Sequence, residues 1–184
     1  MKVPADAGKI LLPLARDAIQ TTLLEQADPV IPEATSWLQE EGASFVTLTE
    51  NANLRGCIGS LEEYRPLGRD VIENARSAAF QDPRFPAVTQ TELPAIQIEV
   101  SVLSPRVTLQ AGSEAEVISQ LKPQVSGVVI NAGYARATFL PQVWEQLPDP
   151  REFLAHLKMK AGLPASWWDP GAQVQTYTVT AWSE

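Results

Sequence analysis

The sequence predicts an α+β fold, a mostly antiparallel sheet with flanking helices, in one domain over residues 1–184 that can divide into two packed lobes. Three observations predict it. Stretches of alternating apolar and polar residues are joined by short polar turns. Helical periodicities fall between groups of strands, not in strict strand–helix–strand order. The 15 prolines are scattered through caps and loops, with none pooled into a linker.

In chain order, Leu11, Leu14, Ala15, Ala18 and Ile19 recur at helical spacing and predict an amphipathic helix ending near Gln26, with a bend or a start at Pro13. Pro32 fits the first position of a short helix carrying Trp37 and Leu38 toward Glu41. Phe45 to Thr49 and Leu54 to Leu61, separated by Glu50-Asn51-Ala52-Asn53, read as a hairpin. Pro66 opens a helix with the stripe Leu67, Val71, Ile72, Ala75, Ala78 and Ala79, and Asp82-Pro83 closes it. Ile96 to Val102 alternates as a half-buried strand. Ser113 and Glu116 form a capping box for a helix through Leu121, and strands are expected at Gly127 to Ile130 and Ala137 to Leu140. Asp149, Pro150 and Glu152 start a helix over Arg151–Ala161 that Gly162 ends. Val174 to Ala181 alternates as one closing strand.

With 184 residues, 45% apolar and 20% charged, the chain can bury a sizeable core without staples. A formal charge of −8 opposes collection of polyphosphate or anionic lipid, so nucleic-acid binding is disfavoured. The apolar run Ile10–Ala15 is broken by Pro13 and followed by Arg16-Asp17, unlike a signal segment, and no run reaches membrane-span length. A single cysteine forms no internal disulfide and suits a reducing cytoplasm, the expected location. Zinc-binding Cys-x-x-Cys, P-loop, dinucleotide and Gly-x-Ser-x-Gly patterns are absent, so no cofactor is assigned and no metal ligand set is chosen.

The most informative segment is Leu54-Arg55-Gly56-Cys57-Ile58-Gly59. Two glycines in a strand point to a bulge, a bend, or a close approach by another backbone or a ligand. Strand alternation puts Arg55 and Cys57 on one face with Ile58 toward the core, and a guanidinium beside a thiol favours the thiolate. The alternative is that Cys57 is a small buried hydrophobe. In Asp82-Pro83-Arg84-Phe85-Pro86 two prolines stiffen the backbone around Arg84, which either holds a carboxylate or phosphate or pairs with Asp82 at the turn. Glu99 lies on the polar face of its strand, where it could meet Arg55 across the sheet. His156 and Lys160 share one helix face and supply a base if that face meets Cys57; Lys158 and Lys160 also suit a helix C-terminus through its dipole. Trp144 and Trp167-Trp168 suit anchoring at a lobe or subunit contact.

At this hexapeptide the chain resembles the AMMECR-type domain family. The resemblance spans nearly the whole sequence: Ser44-Phe-Val-Thr-Leu, Leu54-Arg-Gly-Cys-Ile-Gly-Ser-Leu, Asp82-Pro-Arg-Phe-Pro, Ile98-Glu-Val-Ser-Val-Leu, Phe139-Leu-Pro-Gln-Val-Trp, Phe153-Leu and Lys160-Ala-Gly-Leu stand in the family's order. It implies a mixed α+β domain, a cleft lined by the Arg-Gly-Cys segment, and no established activity. It also implies companionship, in prokaryotes, with a memo-type protein and a radical S-adenosylmethionine protein. Some relatives carry a second cysteine where this chain has Lys158, so chemistry needing two thiols in one chain does not carry over. The functional expectation is an accessory or orphan enzyme component of that system, with Cys57 and His156 as catalytic candidates. Arg55, Gly56, Gly59, Asp82, Arg84, Glu99 and Lys160 are the ligand-binding candidates, suited to a small anionic molecule. A non-catalytic protein-interaction module and, behind it, a nucleic-acid-handling factor are the alternatives; a homodimer is compatible with the sequence.

Overall fold

The computed structural model describes residues 2–33 and 35–184. They form two compact units: the first takes the chain through Ser104 and again from Thr180 to Glu184, and the second spans Pro105–Val179. Each unit has a four-stranded sheet, its own helices and its own apolar core.

In the first unit, α1 (Gly8–Leu23) buries Leu11, Leu14, Ala15, Ala18 and Ile19, the expected stripe. It starts before Pro13, which sits inside the helix, so the expected start at the proline is corrected. The amide missing at Pro13 would have bonded the carbonyl of Lys9, an exposed residue where water can substitute. Strands β1 (Ser44–Glu50) and β2 (Asn53–Gly59) form the hairpin, closed by Asn51 and Ala52 with φ of 51° and 62°. Two successive positive values define the turn that matches the right-handed strand twist. Helix α2 (Leu67–Phe80) packs on α1 and on the hairpin, and β3 (Ile96–Leu103) pairs antiparallel with β1. The short helix expected after Pro32 is reduced to one 3-10 turn, Ser36–Leu38.

The second unit holds β4 (Val107–Thr108), α3 (Glu114–Gln120), β5 (Gly127–Ala132), β6 (Ala135–Phe139), α4 (Pro150–Lys160) and β7 (Gln173–Tyr177). Its sheet runs β4-β7-β5-β6; that of the first unit runs β2-β1-β3-β8, with β8 at Val179–Ser183. The single closing strand expected from Val174 to Ala181 is therefore two strands in two sheets. The break falls at Thr178, where alternation alone carries no signal.

Local capping behaves as the sequence indicates. Asp149 accepts the amides of Arg151 and Glu152, Ser113 accepts that of Glu116, and Gly162 takes φ 81° just past α4. Trp144 is buried inside the second core, stacked on Phe153 at 3.7 Å, and donates through Nε1 to the Ser126 carbonyl. It is a core residue and not a contact anchor. Lys158, read from the sequence as a cation suited to the helix C-terminus through its dipole, is fully buried and donates to Glu114 at 2.8 Å and to the Trp167 carbonyl at 3.0 Å. Its side chain ties α3 and the loop after α4 together. Among the described residues no helix is long and apolar enough to cross a membrane.

Candidate functional site

The hexapeptide occupies β2, and both of its glycines have packing reasons. A Cβ on Gly56 would lie 2.2 Å from the carbonyl oxygen of Ala78, so the missing side chain lets α2 rest directly on the strand. A Cβ on Gly59 would meet the Phe45 ring at 2.2 Å. Between them the ladder slips: Leu48 faces Gly56 but Thr49 faces Leu54, which leaves Arg55 as the extra residue of a β-bulge.

That bulge overturns the expectation that Arg55 and Cys57 share a face. An inserted residue reverses the alternation, and Arg55 points into the structure, 8% exposed. Its guanidinium donates to Glu92 at 3.2 Å and to the Pro86 carbonyl at 2.8 Å. Glu92 in turn accepts the amide and hydroxyl of Thr89, and these donors, with Arg55, hold its carboxyl below the ordinary value. Arg55 therefore braces the loop after α2. Glu99 does not meet it, because β1 lies between their strands.

Cys57 is half-buried, and Thr47 faces it across the hairpin, its hydroxyl donating to Sγ at 3.4 Å. Thr47 also faces Glu99, so thiol, hydroxyl and carboxylate form one row across β2, β1 and β3 on the same side of the sheet. Because β2 is an edge strand, its Cys57 peptide has no strand on the outer side. Asp82 and Arg84 fill that place: Asp82 Oδ2 accepts the Cys57 amide at 2.9 Å, and Arg84 Nη2 donates to the Cys57 carbonyl at 3.2 Å. The two side chains lock each other through Nε at 2.9 Å and Nη2 at 2.7 Å, and Asp82 also accepts the Arg84 amide. Arg84, aided by the amides of Cys57 and Arg84, holds the Asp82 carboxyl far below the usual carboxylate range. Of the pair, Asp82 is buried and Arg84 is half exposed.

The structure thus brings together Cys57, Asp82 and Arg84, and sets Glu99 in the same row as Cys57. His156 and Lys160 lie in the second unit, both exposed on α4; Lys160 donates to the Thr138 carbonyl and sits 5.1 Å from the centre of the Phe139 ring. Among the described residues no three His, Cys, Asp or Glu side chains cluster as metal ligands.

Sequence reasoning passed over Thr47, Glu92 and a buried polar cluster around Asp70. The Asp70 carboxylate accepts from the amide and hydroxyl of Ser44, the Ser60 hydroxyl, Arg65 Nε and Asn74 Nδ2, all between 2.6 and 2.8 Å. It fastens α2 to the open end of the hairpin. The available signal was Asp70 and Asn74, polar residues at i and i+4 on the helix's apolar side. For Glu92 it was Thr89-x-x-Glu92, a capping-box spacing.

Comparison with known proteins identifies the family and the fold. A protein of Methanothermobacter thermautotrophicus is 39% identical over 182 residues, covering 97% of this chain and 95% of its own. One from Methanopyrus kandleri is 34% identical, covering 100% and 91%. The crystal structure of an uncharacterized protein from Pyrococcus horikoshii matches with a TM-score of 0.81 at 33% identity, covering 100% of this chain and 94% of that one. The AMMECR1 family model matches residues 12–182, and the chain belongs to the AMMECR1 family.

Proposed function

We propose that this protein is an accessory component of an enzyme system, acting through the Cys57 face of its first sheet on a memo-type and a radical S-adenosylmethionine protein. The family resemblance supplies those partners. The observation that carries the reading is the fixed presentation of Cys57. Its amide and carbonyl are both bonded by the Asp82–Arg84 pair and its sulfur receives the Thr47 hydroxyl, so thiol and backbone are held in place before anything binds. Of the two arginines first considered for a small anion, Arg55 is committed to Glu92 and Pro86, while Arg84 remains half exposed. Arg84 is therefore the group to meet a carboxylate or phosphate on a ligand or partner.

The test is capture of each purified partner on immobilised protein, with thermal melts as a folding control. Under this reading Arg84→Glu abolishes capture and Cys57→Ala retains it. Loss with Cys57→Ala alone points instead to covalent chemistry at the thiol, an orphan-enzyme role that iodoacetamide labelling against pH would pursue. Absence of capture by the unaltered protein overturns the proposal.

A further inference from the structure

A concavity lies in the first unit, away from β2, where the N-terminal segment passes the end of β3 and β8. It measures about 200 Å³. Pockets for drug-sized molecules run from about 300 to 1,000 Å³, so this one is matched to something smaller. Val3, Val102, Leu103 and Trp182 form its apolar wall; among the described residues Lys2 is the one charged residue in the lining, and Ser104 and Thr180 add hydroxyls. Val102 and Leu103 are each 3% exposed, so this part of the wall belongs to the packed interior.

The wall is also rigid. Trp182 donates through Nε1 to the Ala5 carbonyl at 2.9 Å, and its side chain presses on Gly8 so closely that a Cβ there would lie 2.7 Å from it. A ligand entering meets a surface already in place and has little to order. An ammonium at an apolar pocket is complemented by a single negative charge on a short hydrocarbon or aryl body, and a hydroxyl beside it can donate to the second oxygen of a carboxylate.

From these features we infer that the pocket binds a small amphipathic monocarboxylate, with its carboxylate toward Lys2 and its apolar body against Val102, Leu103 and Trp182. The inference is independent of the Cys57 face. The volume of the pocket excludes a long-chain acid.

The experiment uses the full chain with carbon-13-labelled Val and Leu methyl groups, titrated with phenylacetate, hexanoate and the neutral phenylacetamide. Both acids are expected to give saturable shifts at Val3, Val102 and Leu103 with dissociation constants of about 0.1–10 mM. The amide should bind at least about fivefold more weakly, and Lys2→Gln, at an exposed position, should weaken the acids by a similar factor. Thr180→Trp, at an exposed site on the rim, should block binding while leaving the remaining methyl spectrum unchanged. Absence of saturable shifts up to roughly 20 mM overturns the inference. So does equal binding of acid and amide that Lys2→Gln leaves untouched.

Discussion

Gly56→Ala is the sharpest test of why the hexapeptide has its composition. The added methyl carbon would sit 2.2 Å from the carbonyl oxygen of Ala78 and 3.1 Å from its carbon. An ordinary carbon–oxygen approach is about 3.3 Å, so the helix turn must retreat by about 1 Å or the strand must bend away. Neither yields easily. The obstructing atom is main chain, α2 is buried on that side through Ala75, Ala78 and Ala79, and Leu48 and Val46 lie beneath. Overpacking costs about 1–3 kcal/mol, and a backbone obstacle places this case at the upper end, roughly 3 kcal/mol. At about 2–4 °C per kcal/mol for a chain of this size, the melting temperature should fall by roughly 6–12 °C. Because the molecule has two units, the assay should resolve them: hydrogen exchange by mass spectrometry on peptides from β1, β2 and α2, with β5 and α4 as internal reference. Gly59→Ala supplies the contrast, since it strikes Cγ and the Cδ atoms of the Phe45 ring and not a backbone, so in a Phe45→Ala background, which lacks those atoms, the further loss from Gly59→Ala should be much smaller. For Gly56→Ala, Ala78→Gly should recover nothing, because the clash is with the carbonyl. A Gly56→Ala protein melting within about 2 °C of the parent, or one rescued by Ala78→Gly, would refute the reasoning.

Ala52 holds φ 62°, a conformation that costs a side-chain-bearing residue about 1 kcal/mol, so Ala52→Gly should raise the melting temperature by roughly 2–4 °C in calorimetry; a decrease would contradict the turn assignment. The Asp82 carboxyl is depressed in the folded state chiefly by Arg84, so its stabilising contribution is complete above the unfolded value near pH 4 and is lost as acidification approaches the lower folded value. Urea unfolding of Asp82→Asn should therefore show a deficit at pH 6 that narrows below about pH 4, and a deficit independent of pH would count against the ion pair. Glu114→Ala leaves the buried Lys158 ammonium without its carboxylate and should cost about 3 kcal/mol in urea unfolding, whereas Lys158→Met, of similar volume, should cost less; the reverse order would mean that the amine is not held by charge. Replacement of Asp70 by Ala removes the acceptor shared by five donors inside the first unit and should cost about 3–5 kcal/mol by the same measurement, with a loss under about 1 kcal/mol refuting its fastening role.

Much of the α+β reading was legible because it rests on neighbours in sequence. Asp149, Pro150 and Gly162 bound α4, and the stripe from Leu67 to Ala79 marks the buried side of α2, through interactions spanning one or two helical turns. The departures share a cause: each depends on a partner far along the chain. Arg55 looked like a companion of Cys57 because alternation assumes an unbroken ladder, and the bulge that separates them is specified by how Leu48 and Gly56 pair and how α2 presses on the strand. Lys158 looked like a dipole-compensating cation because Glu114 and Trp167 meet it only after the second core forms. At the site, Asp82 with Arg84 was readable as a local turn pair, but its hold on Cys57, 25 residues upstream of Asp82, was not. Thr47 gave no signal, since a threonine in a strand is ordinary until its cross-strand neighbour is a thiol.

The placement of β8 has a practical corollary. Chain order separates β3 from β8 by residues 104–178, nearly all of them in the second unit, yet the two are adjacent in the first sheet, with the Glu184 amide donating to the Ile98 carbonyl. The second unit is thus a cassette spliced into the loop of what would otherwise be a hairpin. A short Asn-Gly turn linking Ser104 to Thr180 leaves each strand of that sheet its neighbours. Exchange of the cassette between relatives would then test which half of the protein decides what is bound.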